Sequence, residues 1–115
     1  MNIEKSTIHE WISVLRDAQK NVRYAKLFKK VQRSMEVPTR IRKGGVNLYK
    51  LNKYTKEGDV VIVPKKVLST GTIDHKITIA APEYSSKARE ELKKKGCRII
   101  GIKEMVNEKR ISIIT

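Results

Sequence analysis

VNLYKLNKYTKEGDVVIVPKKVL, residues 46–68, is the stretch around which the rest of the chain is read. Leu48, Leu51 and Tyr54 recur at helical spacing, and Lys50, Lys53 and Lys56 do not share their face. The segment therefore predicts a short helix with one side packed and the other charged. Residues 55–59 carry a sharp turn in which Gly58 supplies the permissive backbone. Asp59-Val60-Val61-Ile62-Val63 is short and rich in β-branched residues, which predicts a buried strand. Pro64 ends that strand, and Lys65 and Lys66 emerge at its exit. A buried strand that delivers two lysines to one place, beside a helix edged with three more, holds positive charge where it can meet phosphate.

Charge across the whole chain agrees with this stretch. Among 115 residues, 26 Lys and Arg face 12 Asp and Glu, a formal net charge of +14. Residues 23–66 hold 13 basic and 3 acidic side chains, so most of the excess is concentrated there. Self-repulsion of this size disfavours a compact chain unless a polyanion neutralises it, so nucleic acid or an anionic membrane is the expected partner. The length predicts one domain over 1–115, with a helical and basic part at 1–45 and an α/β core at 46–115. Cys97 is the single cysteine and has no intramolecular disulfide partner, and no charged-then-apolar leader opens the sequence, so a reducing cytoplasm is expected. No apolar run approaches the roughly 20 residues that span a bilayer.

Upstream of the central stretch, Val37-Pro38 forces an extended turn, and Thr39-Arg40-Ile41-Arg42-Lys43-Gly44-Gly45 places three cations ahead of two glycines. An exposed cationic loop of this kind lets the backbone approach a phosphate, and its arginines can fork onto it. It is not a nucleotide-binding loop, because no strand precedes it and no Gly-Lys-Ser/Thr follows. Before it, a helix is predicted over 23–35, with Tyr24, Leu27, Phe28, Val31 and Met35 as its apolar stripe. Arg23, Lys26, Lys29, Lys30 and Arg33 lie off that stripe, left for solvent or phosphate. Residues 1–6 read as a frayed end, and Thr7 with Glu10 fits a capping box opening a first helix. Ile8, Trp11, Ile12, Leu15 and Ala18 line one face of that helix; Trp11 is in phase with them and is read as a core anchor.

Downstream, residues 68–75 form a turn region, and Lys76-Ile77-Thr78-Ile79-Ala80-Ala81 alternates as a strand paired near residues 60–63. Ser85 or Ser86 caps a helix whose Ala88 and Leu92 face inward. Lys93-Lys94-Lys95 fills its last turn before Gly96, where cations offset the helix dipole and need no ligand. A short strand at 97–100, one helical turn at 103–107 and a final strand at 109–114 complete an α/β chain: N-terminal helices, a basic extended loop, then an irregular β-β-α arrangement.

The residues give little support to an enzyme. Asp74-His75 is the one adjacent acid and imidazole, and neighbours in a turn are expected to point apart. A nuclease built on Asp59, Asp74 and His75 is the single catalytic version worth testing. No His, Cys and carboxylate spacing suggests a metal, and no cofactor or small-molecule substrate is implied.

The central run, with Gly71-Thr72-Ile73-Asp74-His75, the strand 76–81, the Tyr84-Ser85 helix start with Ala88, and Arg98-Ile99-Ile100 before Lys103-Glu104-Met105, resembles the archaeal and eukaryotic large-subunit ribosomal protein family eighteen-e, sister of bacterial large-subunit protein fifteen. The resemblance covers roughly residues 21–106, with fainter agreement in the first helix. It implies a structural role in binding large-subunit ribosomal RNA and neighbouring ribosomal proteins, with no membrane partner. By position, the family's basic stretch falls on Arg40, Arg42 and Lys43, its Val-Asn-Leu motif on Asn47, Lys50 and Lys53, and its Pro-Gly-Lys-Val-Leu-Gly turn on residues 64–69. Lys65 and Ser69 stand where that turn has glycine, and the family's Asn-Pro-x-Gly-Ser insertion is missing after Asn107. The expected RNA-binding set is Arg40, Arg42, Lys43, Asn47, Lys50, Lys53, Lys65 and Lys66, joined by Lys26, Lys30 and Arg33. A free RNA-binding regulator or RNA-modifying accessory protein using the same patch is the alternative.

Overall fold

The computed structural model describes residues 5–20, 24–36 and 44–115. Its elements are α1 (Lys5–Ala18), α2 (Ala25–Glu36), β1 (Val46–Asn47), α3 (Leu48–Tyr54), β2 (Val60–Ile62), β3 (Val67–Leu68), β4 (Thr78–Ala80), α4 (Ser86–Lys94), β5 (Arg98–Ile99), α5 (Ile102–Met105) and β6 (Ser112–Ile113). This is the expected α/β chain with helices at its start.

β2, β4, β5 and β6 form one sheet in the order β5-β4-β2-β6, with every pair parallel. A parallel sheet is covered on both faces, and successive side chains of a strand go to opposite sides. Val61, Val63 and Ile79 accordingly enter a core shared with Leu48 and Leu51 of α3 and Ala88 and Leu92 of α4. Ile62 and Ala80 enter the opposite core with Trp11, Leu15, Phe28, Val31 and Met35 of the α1–α2 hairpin and Ile102 and Met105 of α5.

The hairpin follows its periodicity. Trp11 is buried with the apolar stripes of both helices, as its phase predicts. Side-chain amides of Gln19 and Gln32 bond across it, and the Tyr24 hydroxyl donates to the Lys109 carbonyl at 2.6 Å, tying it to the chain just before β6. Two boundaries differ from expectation. α1 is already helical at Lys5, so Thr7 lies within it and cannot serve as its N-cap. α2 is described from Ala25, and Arg23 lies outside the described residues.

On the other face, α3 is rotated relative to the predicted stripe. Leu48 and Leu51 are buried as expected, but Tyr54 is 61% exposed, and Thr55 takes the inward place at 6%. The phase accounts for this, since i+7 from Leu48 is Thr55. The hydroxyl of Thr55 makes its burial affordable by donating to the Leu51 carbonyl at 2.6 Å. The turn after α3 is as read: Gly58 adopts φ +86°, and Asp59 Oδ2 accepts the Lys56 N–H at 2.9 Å.

β1 and β3 pair in parallel, Val46 opposite Val67 and Asn47 opposite Leu68, a feature that two-residue strands carry no alternation to announce. Gly45 permits the approach, because a Cβ there would stand 2.5 Å from the Lys66 carbonyl oxygen. Its missing side chain thus makes room for the protein's own backbone. Ser85 caps α4, its Oγ accepting the Ala88 N–H at 3.2 Å, and Gly96 follows the last turn with φ +81°. Cys97 is buried beside β5, its thiol directed to the His75 carbonyl at 3.6 Å. Among the described residues, no helix is long and apolar enough to cross a membrane.

Candidate nucleic-acid interface

Burying Phe28, Val31 and Met35 fixes the rotation of α2 and sends Lys26, Lys29, Lys30 and Arg33 to its opposite side, where all four are exposed. With Ser34 they line a shallow, open depression. Three of the four belong to the expected set; Lys29 completes them by helical phase. Arg40, Arg42 and Lys43 lie outside the described residues. They precede Gly44 and Gly45 in the chain, and Gly45 lies against the backbone of Lys66.

The remaining expected residues surround β1 and α3, and several already have internal partners. The side-chain oxygen of Asn47 accepts the Thr70 N–H at 3.3 Å, so one end of that amide holds the loop beside it. Lys50 Nζ donates to the Thr115 carbonyl. Lys66 Nζ lies 3.7 Å from Glu83 Oε1, which partly neutralises it. Lys65 is half-buried, and Lys53 is exposed with its ammonium 5.4 Å from the centre of the Tyr54 ring. No non-glycine residue among those described has positive φ, so Lys65 and Ser69 occupy ordinary backbone without needing the glycines of the family turn.

The acids explain why so much positive charge stays available. Glu57 accepts the Lys76 N–H at 2.6 Å and Asp59 accepts that of Lys56, so both serve backbone donors. Among the described residues, Lys66 with Glu83 is the one lysine or arginine ion pair to a side-chain carboxylate. Cations without counter-charge in the fold are those that release counterions when they meet phosphate.

Asp74 and His75 correct an expectation. They do not point apart: His75 Nδ1 is 2.9 Å from Asp74 Oδ1, and Nε2 is 2.6 Å from Thr55 Oγ1. Asn52 adds a bond, its side-chain oxygen accepting the Asp74 N–H at 3.0 Å. The hydrogen bond and positive charge of His75 hold the Asp74 carboxyl below the usual carboxylate range. The grouping resembles an acid, an imidazole and a hydroxyl in line, but the hydroxyl is the buried one that bonds Leu51. It locks α3 to the turn before β4. Asp59 is engaged in its own turn, and no group of three or more potential metal ligands gathers among the described residues.

Comparison with known proteins places the chain in a family. A family profile described as ribosomal proteins 50S-L15, 50S-L18e and 60S-L27A matches residues 6–100. The large ribosomal subunit protein eL18 of Sulfurisphaera tokodaii is 42% identical over 82 residues, covering 71% of this chain and 69% of that protein. Its counterpart in Methanothermobacter thermautotrophicus is 36% identical over 94 residues, 78% of this chain and 77% of that protein. That of Sulfolobus acidocaldarius is 33% identical over 79 residues, 69% and 66% respectively. With a profile matched over most of its length and relatives this similar, the chain belongs to the family of ribosomal proteins 50S-L15, 50S-L18e and 60S-L27A.

Proposed function

We propose that this protein is a structural constituent of the large subunit of the cytoplasmic ribosome, folded as one domain, that binds ribosomal RNA through its basic surface and carries out no bond-making step. The observation behind this reading is the outward side of α2, where Lys26, Lys29, Lys30 and Arg33 stand exposed without carboxylate partners among the described residues, on a helix anchored by its other side. Family membership supplies the assembly in which such a surface is used. On the other side of the sheet, Lys53 and Lys65 form a second group of cations around α3, where Lys50, Lys66 and Asn47 contribute through what their internal bonds leave free, and Arg40, Arg42 and Lys43 add the loop that precedes β1. Neighbouring ribosomal proteins are the second class of partner.

Binding of this kind works by neutralisation. Each ammonium or guanidinium placed on a phosphate displaces condensed counterions, so affinity falls as salt rises. Co-sedimentation tests the assembly: the protein is expected to pellet with large subunits at physiological salt. If it stays in the supernatant while still binding free RNA, the regulator or accessory reading replaces this one. Lys30→Ala and Arg33→Ala are each expected to lower the slope of log affinity against log salt by about one unit or less. An unchanged slope in both variants removes α2 from the interface.

A further inference from the structure

Two large apolar side chains stand in solvent on a single short helix. Tyr49 is 57% exposed and Tyr54 61%, both on α3. At about 100° per residue, Leu48, Leu51 and Thr55 mark the buried side. Across its outward width the helix then reads Tyr49, Lys53, Lys50, Tyr54: a ring on each flank and two lysines between them. The two tyrosine backbones are ~7.5 Å apart along the axis. α3 contains no acidic residue.

The first ring is set on a rigid base. The Tyr49 N–H donates to the Thr70 carbonyl at 3.1 Å, and Thr70 is held in turn by Asn47. Gly71, at φ +87°, lies so close that a Cβ there would stand 2.5 Å from the Tyr49 Cβ. The second ring already has a cation at its face, the Lys53 ammonium. An exposed aromatic face flanking a row of cations matches a strand of nucleic acid whose bases are not paired, since the backbone requires the cations and each base has a π face to stack. A duplex offers the phosphates but keeps its bases stacked inside.

We infer that the outward side of α3 is a stacking platform for unpaired RNA bases, with Tyr49 and Tyr54 each receiving a base, the exposed Lys53 meeting the phosphate between them and Lys50, half-buried with its ammonium on the Thr115 carbonyl, adding its charge nearby. This rests on the RNA-binding reading above and adds which form of RNA the surface selects.

The test is a titration of the full chain with a mixed-sequence single-stranded RNA and with the duplex of the same sequence, at physiological salt and across a salt series. Tyr49→Ala and Tyr54→Ala are each expected to weaken single-strand binding about five-fold or more, to leave duplex binding unchanged and to preserve the salt slope. Tyr49→Phe and Tyr54→Phe, which keep the ring, are expected to bind as the unmodified protein does. Single-strand affinity untouched by the alanine substitutions overturns the inference, as does equal loss on both RNAs or equal damage from phenylalanine and alanine. Alanine variants that keep their RNA affinity but fail to enter large subunits identify the patch as a protein contact, which also overturns it. Lys30→Ala separates the two levels: a flattened slope upholds general RNA binding even where the tyrosine variants show no effect, whereas an unmodified protein that ignores both RNAs removes both readings.

Discussion

The two faces of the sheet are closed by different means. On one, the α1–α2 hairpin lays down two continuous apolar stripes, with Trp11, Leu15, Phe28, Val31 and Met35 meeting Ile62 and Ala80. On the other, α3 and α4 are shorter and are pinned by polar bonds: the Ser85 cap, the Thr55–His75–Asp74 chain, Asn52 on the Asp74 N–H and Asn47 on the Thr70 N–H. A long amphipathic helix gains its position from buried area spread over several turns. A helix of two turns has too little area for that, and directional bonds at its ends set its angle instead. The hairpin face should therefore respond most to lost volume, and the α3 face to lost hydrogen bonds and backbone fit.

The largest expected effect is Phe28→Ala, which leaves a cavity in the hairpin core and should cost about 3–5 kcal/mol in urea unfolding. Trp11 is the single tryptophan and sits in the same core, so its fluorescence reports that face directly. If its transition separates from that seen by far-UV circular dichroism, the two faces unfold independently and the contrast becomes one of cooperative units.

Next in size is Gly71→Ala, where positive φ and the Tyr49 contact act together; about 2 kcal/mol or more is expected. Gly58→Ala is its control. That glycine has φ +86° with nothing within 4 Å of an added Cβ, so about 1 kcal/mol is expected. Equal losses would show that the approach of residue 71 to α3 is not a constraint.

Thr55→Val keeps the shape of the buried side chain and removes its hydroxyl, leaving the Leu51 carbonyl and His75 Nε2 short of a partner. A loss of about 1–2 kcal/mol is expected. A neutral result would assign the position to packing alone.

The smallest effect belongs to Asp74→Asn and is visible mainly in acid. Because the folded carboxyl titrates below its ordinary value, its contribution is present above about pH 4 and is lost as pH falls through the folded pKa. The variant lacks that contribution, so its stability should fall less steeply below about pH 4. Parallel acid limbs for the two proteins would show that the Asp74–His75 bond does not form in solution.

The same contrast governs what could be read from the chain. The hairpin was legible because stripes at i, i+3 and i+4 recur over several turns, and the cationic side of α2 followed from that phase with no further information. β2 is legible as a short run of β-branched residues and β4 as an alternating segment, although their edges lie inward by a residue or two. What could not be read depends on contacts between distant residues. The β1–β3 pair joins segments of two residues each, and its close approach at Gly45 is visible only once Lys66 lies alongside. By sequence an apolar ring at Tyr54 fits the inward stripe as well as Thr55 does, and the partner that favours the threonine, His75, lies 20 residues further along. The pairing of Asp74 with His75 is hidden from the sequence for the same reason: the position of the imidazole is set from the far side by Thr55. Of the expected interface, the helix-borne cations were accessible to sequence logic, whereas the internal bonds of Lys50, Lys66 and Asn47 were not.

The register of β6 bears on how the molecule is made. Val61 and Ile62 sit near the middle of the chain, yet one of their two neighbours in the sheet is Ser112 and Ile113. During synthesis from the N-terminus, β2 must wait, open along one side, until those residues have been made and have left the translating machinery. Pairing across such a distance in sequence is slow to form. Before that wait ends the lysines and arginines of the earlier segments are outside the translating machinery, and any polyanion nearby can reach them before the fold closes.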